Sequence, residues 1–112
     1  MLPVDAAVAQ MRKGLLEYCV MALLTHQARY GYELVQELAK VDGLLTSEGT
    51  MYPLLGRLRR DRMVETEWRE SSGGPPRKYY RLSPAGERAL KNFRQEWTTL
   101  RSAVDSLLKG GS

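Results

Sequence analysis

The sequence predicts a mainly α-helical fold with one small β-hairpin. Three observations carry this. Apolar residues recur at helical spacing in four separate stretches, one segment alternates with period two, and a Gly/Pro-rich cluster follows it. At 112 residues the chain is one domain, large enough for a modest core and small enough to gain from a partner chain. With 43% hydrophobic and 27% charged residues it reads as an ordered globular protein.

The first helix is expected from Val8 to about His26. Its stretch "LLEYCVMALL" has almost no polar face, with Glu17 its one charge. A helix apolar nearly all round is covered on both sides, and in so short a chain one cover is a second subunit. The run is too short for a bilayer, which needs about 20 residues, and it lacks a cleavage-site pattern. A cytoplasmic protein without membrane contact is expected. Cys19 lies in this run and reads as a small buried hydrophobe.

"YGYELVQELAKVDG" gives a second helix, with Tyr32, Val35, Leu38 and Ala39 inward and Gly43 as its stop. "TSEGTMYPLLGRLRRD" gives the third, with Met51, Leu54, Leu55 and Leu58 as its buried stripe. An N-cap at Thr46 or Ser47 makes Pro53 interior and bends the helix. A cap at Thr50 puts Pro53 at the third position, where its missing N–H loses no bond. Both starts fit the sequence.

"MVETEWRE" places Val64, Thr66 and Trp68 on one face of a strand, and "RKYYRL" places Tyr80 and Leu82 on one face of a second. "SSGGPP" joins them, and Pro75 and Pro76 are expected to lengthen the loop beyond a two-residue turn. Trp68 reads as core or strand cover, and Tyr79 and Tyr80 as packing residues. The last helix opens with Ser83 as N-cap and Pro84 behind it. Leu90, Phe93, Trp97, Leu100, Val104 and Leu107 then step alternately by three and four, an a/d seam ended by Gly110 and Gly111. At 1.5 Å per residue, residues 84–108 span roughly 37 Å. The rest of the chain is a body about 30 Å across, so the seam's far end needs a second copy to cover it. Leu15 of the first helix joins this expected dimer interface.

The net charge is +4 and the pI about 9.4. Residues 1–46 hold four Lys/Arg against five Asp/Glu, while residues 47–82 hold eight against five. The positive charge therefore begins with the third helix. Opposite that helix's apolar stripe lie Gly49, Thr50, Pro53, Gly56, Arg57 and Arg60, with Tyr52 at the margin. This face is small and hydroxyl-bearing at its start and cationic at its end. Such a face lets a backbone enter a DNA major groove, offers hydroxyls to base edges and meets phosphates with cations. Helix, helix, groove-compatible helix and basic hairpin make a winged helix-turn-helix, with Arg77 and Lys78 on the wing and a long C-terminal dimerisation helix. The domain covers 8–82 and the dimerisation helix 83–109, with 1–7 and 110–112 as flexible ends. No nucleophile–base pair, metal-ligand spacing or phosphate-binding Gly-rich loop is present, so no enzyme, metal or cofactor is expected. His26 reads as a surface or capping residue.

"YGYEL", "SEGTMYPLLGRLRRD", "GGPPRKYYRLSPAGE" and the closing seam together resemble the short, dimeric branch of the PadR-like transcriptional regulators, over roughly residues 11–108. The resemblance implies a homodimeric regulator of double-stranded DNA, mostly repressing nearby genes. Its recognition-helix positions fall on Ser47, Gly49, Thr50, Tyr52, Pro53 and Arg57. Its wing falls on Gly74, Arg77 and Lys78, and its backbone contacts on Tyr30 and Gly31. Pro75–Pro76 stands where the family has Gly-Arg-Pro or Gly-Arg-Arg, which removes an arginine. The resemblance also implies a small aromatic or lipophilic effector at the dimer seam. Trp97 is the effector candidate, and a plain dimer anchor is the alternative. A winged-helix protein–protein adapter, or a small-molecule-binding protein without DNA, is the rival reading.

Overall fold

The computed structural model describes residues 4–41, 44 and 48–110. Eight elements follow in order: α1 (Val4–Leu23), β1 (Arg29–Tyr30), α2 (Gly31–Ala39), a 3-10 turn (Glu48–Thr50), α3 (Met51–Arg60), β2 (Val64–Ser71), β3 (Gly74–Leu82) and α4 (Pro84–Leu108). The strands form one antiparallel sheet in the order β1-β3-β2. The expected stop at Gly43, the alternative caps at Thr46 and Ser47 and the ends at 1–3 and 111–112 lie outside the described residues.

One core joins all the helices to the sheet. Leu16, Val20, Met21 and Leu24 of α1 pack with Leu34, Val35 and Leu38 of α2 and with Met51, Leu54, Leu55 and Leu58 of α3. Val64, Tyr80 and Leu90 close it from the sheet and α4. The third helix thus buries the stripe that its spacing predicts. Its start is late: a 3-10 turn ends at Thr50 and Pro53 stands third in α3. Proline there removes an N–H with no intrahelical partner, so the helix runs on unbroken.

Six expectations need correction. The first helix runs from Val4 to Leu23, where Val8 to about His26 is expected, so residues 4–7 are helical and His26 lies beyond its end. In α2, Tyr32 and Ala39 are exposed, and Leu34 takes the place beside Val35 and Leu38. The cause is the helix entry, where the Tyr30 N–H donates to the Glu33 carboxylate at 3.1 Å and buried Gly31 begins the first turn. The sheet gains a third strand, because Arg29 and Tyr30 pair with Tyr80 and Tyr79. The hairpin turn is tight: Ser71 pairs with Gly74 across Ser72–Gly73, with Gly73 at φ +76°. Pro75 and Pro76 sit inside β3 beside the irregular register between Arg69 and Ser71, where missing N–H groups cost no ladder bond. Trp68 is exposed, because β2 has run past the body by that point.

Leu90 is the sixth. It is 4% exposed within its own chain, so it has no area to give to a partner. The stack of Phe93 on Tyr18, with ring centroids 4.0 Å apart, likewise fastens α4 to α1 of the same chain. Beyond Trp97 the helix leaves the body, and Leu100 and Leu107 are 58% and 77% exposed. The radius of gyration, 16.2 Å, exceeds the ~13 Å of a compact chain of this length.

The joint below α3 is tightly specified. Arg62 adopts the left-handed conformation at φ 62°, while the Met63 N–H donates to the Leu58 carbonyl at 2.9 Å and the Arg62 N–H to the Arg59 carbonyl at 3.0 Å. These two bonds are a Schellman motif closing the helix. Ser83 ties the joint to α4: its hydroxyl donates to the Arg62 carbonyl at 2.6 Å and accepts from the Gly86 N–H at 3.0 Å. The basic end of α3, the foot of the hairpin and the start of α4 are thereby fixed together.

Candidate nucleic-acid interface

The outward side of α3 follows from its buried one. At 100° per residue, Pro53, Gly56 and Arg60 point directly away from the Met51–Leu58 stripe, and Gly49 precedes them in the 3-10 turn. Gly49, Pro53 and Arg60 are exposed there. Thr50 and Arg57 flank this line toward α1, and Tyr52 and Arg59 flank it toward the hairpin. Ser47 lies outside the described residues.

Each flank has its own chemistry. Toward α1, Thr50, Pro53 and Arg57 share a cleft of about 270 Å³ with Arg12 and Lys13. Arg57 does not extend freely: its Nε donates to Glu17 Oε1 at 3.0 Å. Toward the hairpin, Tyr52, Tyr30, Gly31, Arg77, Lys78, Trp68 and Tyr80 line a second cleft of about 370 Å³. Here the Tyr52 ring lies on the Gly31 backbone so closely that a Cβ on Gly31 would fall 2.7 Å from Tyr52 Cε1. Gly31 therefore seats the tyrosine as well as opening α2.

The wing separates its charges by face. Glu65, Glu67, Arg69, Arg77, Tyr79 and Arg81 alternate onto one face, and Thr66, Trp68, Lys78 and Tyr80 onto the other. On the first face the carboxylates are occupied: Glu65 pairs with Arg81 at 2.8 Å and Glu67 with Arg69 at 2.6 Å. The Arg69 hydrogen bond and charge hold the Glu67 carboxyl below its usual range. Arg77 lies 4.5 Å over the Tyr30 ring, and Lys78 Nζ sits 5.9 Å over Tyr80. Burial raises the Tyr80 hydroxyl pKa, Tyr52 adds to this and Arg59 opposes it. Gly74 is exposed near the tip.

Arg59, Trp68, Arg12 and Lys13 also border this side, and no spacing in the sequence marks them for it. Trp68 was obscured by a strand alternation that marks faces but not where the body ends. Away from this side, Trp97, Leu100 and Val104 of α4 and Met11, Gly14 and Leu15 of α1 line an apolar groove of about 380 Å³. Leu107 projects beyond it. His26 is exposed, and burial raises the Cys19 thiol pKa. No helix is long and apolar enough to cross a membrane, among the described residues.

A family model described as the transcriptional regulator PadR-like family matches residues 20–92. Among solved structures, a PadR-like transcription factor from Bacteroides fragilis is 44% identical, with 92% of this chain and 99% of that one covered at a TM-score of 0.76. A PadR family regulator from Eggerthella lenta is 36% identical, with 94% and 91% covered at a TM-score of 0.80. A transcriptional regulator of Mycobacterium tuberculosis is 41% identical over 75 residues, 67% of this chain and 68% of that protein. The matched residues include α2, α3, the hairpin and the head of α4, and the chain therefore belongs to the PadR-like family of DNA-binding transcriptional regulators.

Proposed function

We propose that the chain acts in the cytoplasm as a homodimeric repressor on a palindromic operator. The observation that carries this reading is that Tyr52, on the flank of the low-profile outer side of α3, shares one cleft with the hairpin cations Arg77 and Lys78. Gly49, Thr50, Pro53 and the basic end of α3 enter the major groove. Arg77, Lys78 and Gly74 follow the neighbouring backbone, and the α2 entry at Tyr30–Gly31 meets a phosphate.

Two copies join through the exposed seam of α4 and the apolar face of α1, with residues 8–82 as the DNA-binding unit and 83–109 as the dimerisation helix. Trp97, Leu100, Val104, Leu107 and Leu15 are the residues available for that contact. Burying one large apolar side chain contributes roughly 1.5–3 kcal/mol, which favours covering them. The pairing sets the separation of the two α3 helices, about 34–36 Å for successive major grooves. A small aromatic or lipophilic compound in the groove at Trp97 changes that separation, and a coupling of about 1–3 kcal/mol suffices to shift occupancy.

Titrating a labelled palindromic duplex at two salt concentrations tests this. Phosphate-driven binding weakens steeply with salt. Absence of a shift at any salt favours an adapter or a small-molecule carrier instead.

A further inference from the structure

Trp68 is unusual for a residue on the body-facing side of the hairpin. It is 68% exposed, although Val64 and Thr66 before it are buried or half-buried. A side chain of this kind commonly buries about 150–250 Å² when a partner is present. It stands directly across the ladder from Lys78 and shares a cleft with Tyr52, which is 57% exposed. Among the described residues that line this cleft there is no carboxylate, whereas Lys78 and Arg77 both border it. The nearby carboxylates of Glu65 and Glu67 belong to the opposite face and are paired with arginines.

An apolar platform beside positive charge that has no carboxylate partner among the described residues fits a ligand in which apolar surface and anion alternate. The sugar–phosphate backbone of DNA has that composition. The faces of duplex bases are stacked on one another and only their edges open to the grooves, so an indole at the groove edge meets the deoxyribose. We infer that Trp68 packs on a deoxyribose of the bound duplex while Lys78 holds the adjoining phosphate, an inference that rests on the DNA-binding reading of this face. The contact is independent of sequence, because sugar and phosphate positions fix register rather than read bases.

The test uses the full-length protein and a random-sequence duplex at low salt, so no operator is needed. Trp68→Ala is expected to lower affinity about tenfold, the scale of burying one large apolar side chain. Its salt dependence stays that of the parent, since an apolar contact releases no counterion, whereas Lys78→Ala flattens the slope by about one phosphate. The parent's tryptophan fluorescence changes on DNA addition, and this change is lost in Trp68→Phe. Because the indole is exposed, thermal unfolding of the three variants matches the parent. A parent that binds DNA while Trp68→Ala binds equally well overturns the inference and leaves the DNA reading standing. So does a Trp68→Ala slope that falls with the affinity, or a fluorescence change that persists in Trp68→Phe. A parent that binds no duplex at all overturns both.

Discussion

Arg57 of α3 is tied to Glu17 of α1 by a 3.0 Å ion pair, forty residues apart in sequence. The arginine expected to meet phosphate is already partly neutralised in the free protein. Both side chains are about one-third exposed, so the pair itself contributes only ~0–1 kcal/mol to stability. Its effect belongs to binding. Glu17→Gln is expected to raise affinity for non-specific DNA several-fold and to steepen the salt slope by up to about one. Arg57→Ala is expected to weaken binding less than Arg60→Ala, because Arg60 is exposed and has no ion-pair partner among the described residues. Fluorescence anisotropy across a salt series measures both.

Gly31 and Tyr52 form a second linked pair. An alanine at Gly31 drives its Cβ into the tyrosine ring, whose far end can swing away. Gly31→Ala is expected to cost about 1 kcal/mol or less in stability, as for an accommodated substitution, yet to weaken DNA binding about as much as Tyr52→Ala. The double variant then shows little further loss, because both changes remove the same side-chain position.

The joint below α3 gives two stability outcomes of opposite sign. Arg62→Gly relieves a left-handed residue and is expected to stabilise by about 1 kcal/mol. Gly86→Ala places a Cβ 2.0 Å from the Met63 carbonyl oxygen, backbone that cannot swing aside. It is expected to cost about 3 kcal/mol or more, read from urea midpoints.

The apolar seam leads to a mass measurement. Leu100→Asp with Leu107→Asp is expected to convert a dimer to a monomer in sedimentation while leaving the far-UV spectrum unchanged, since both side chains are exposed in the single chain. A monomeric parent contradicts the dimer.

Periodicity made the helices legible. Met51, Leu54, Leu55 and Leu58 are buried where their spacing puts them, and Ser83–Pro84 opens α4. Other features were hidden for identifiable reasons. Two residues, Arg29 and Tyr30, are too few to show alternation, so β1 had no signal. Pro75 and Pro76 look like loop residues, but a strand tolerates prolines at an irregular register. An a/d pattern runs evenly from Leu90 to Leu107, yet its first member packs on its own body and its last projects beyond it. Spacing encodes which side of an element is apolar, not whose surface covers it. The same gap explains Arg57, whose partner is set by tertiary packing.

In the proposed complex a duplex meets the outer side of α3 and the body-facing side of the hairpin. Backbone amide NMR during titration with DNA maps that contact directly. The expected result is perturbation concentrated at residues 49–60, 30–31 and 74–78, weakening as salt is added. Perturbation confined to the α1–α4 groove, with 49–60 unmoved, would contradict it.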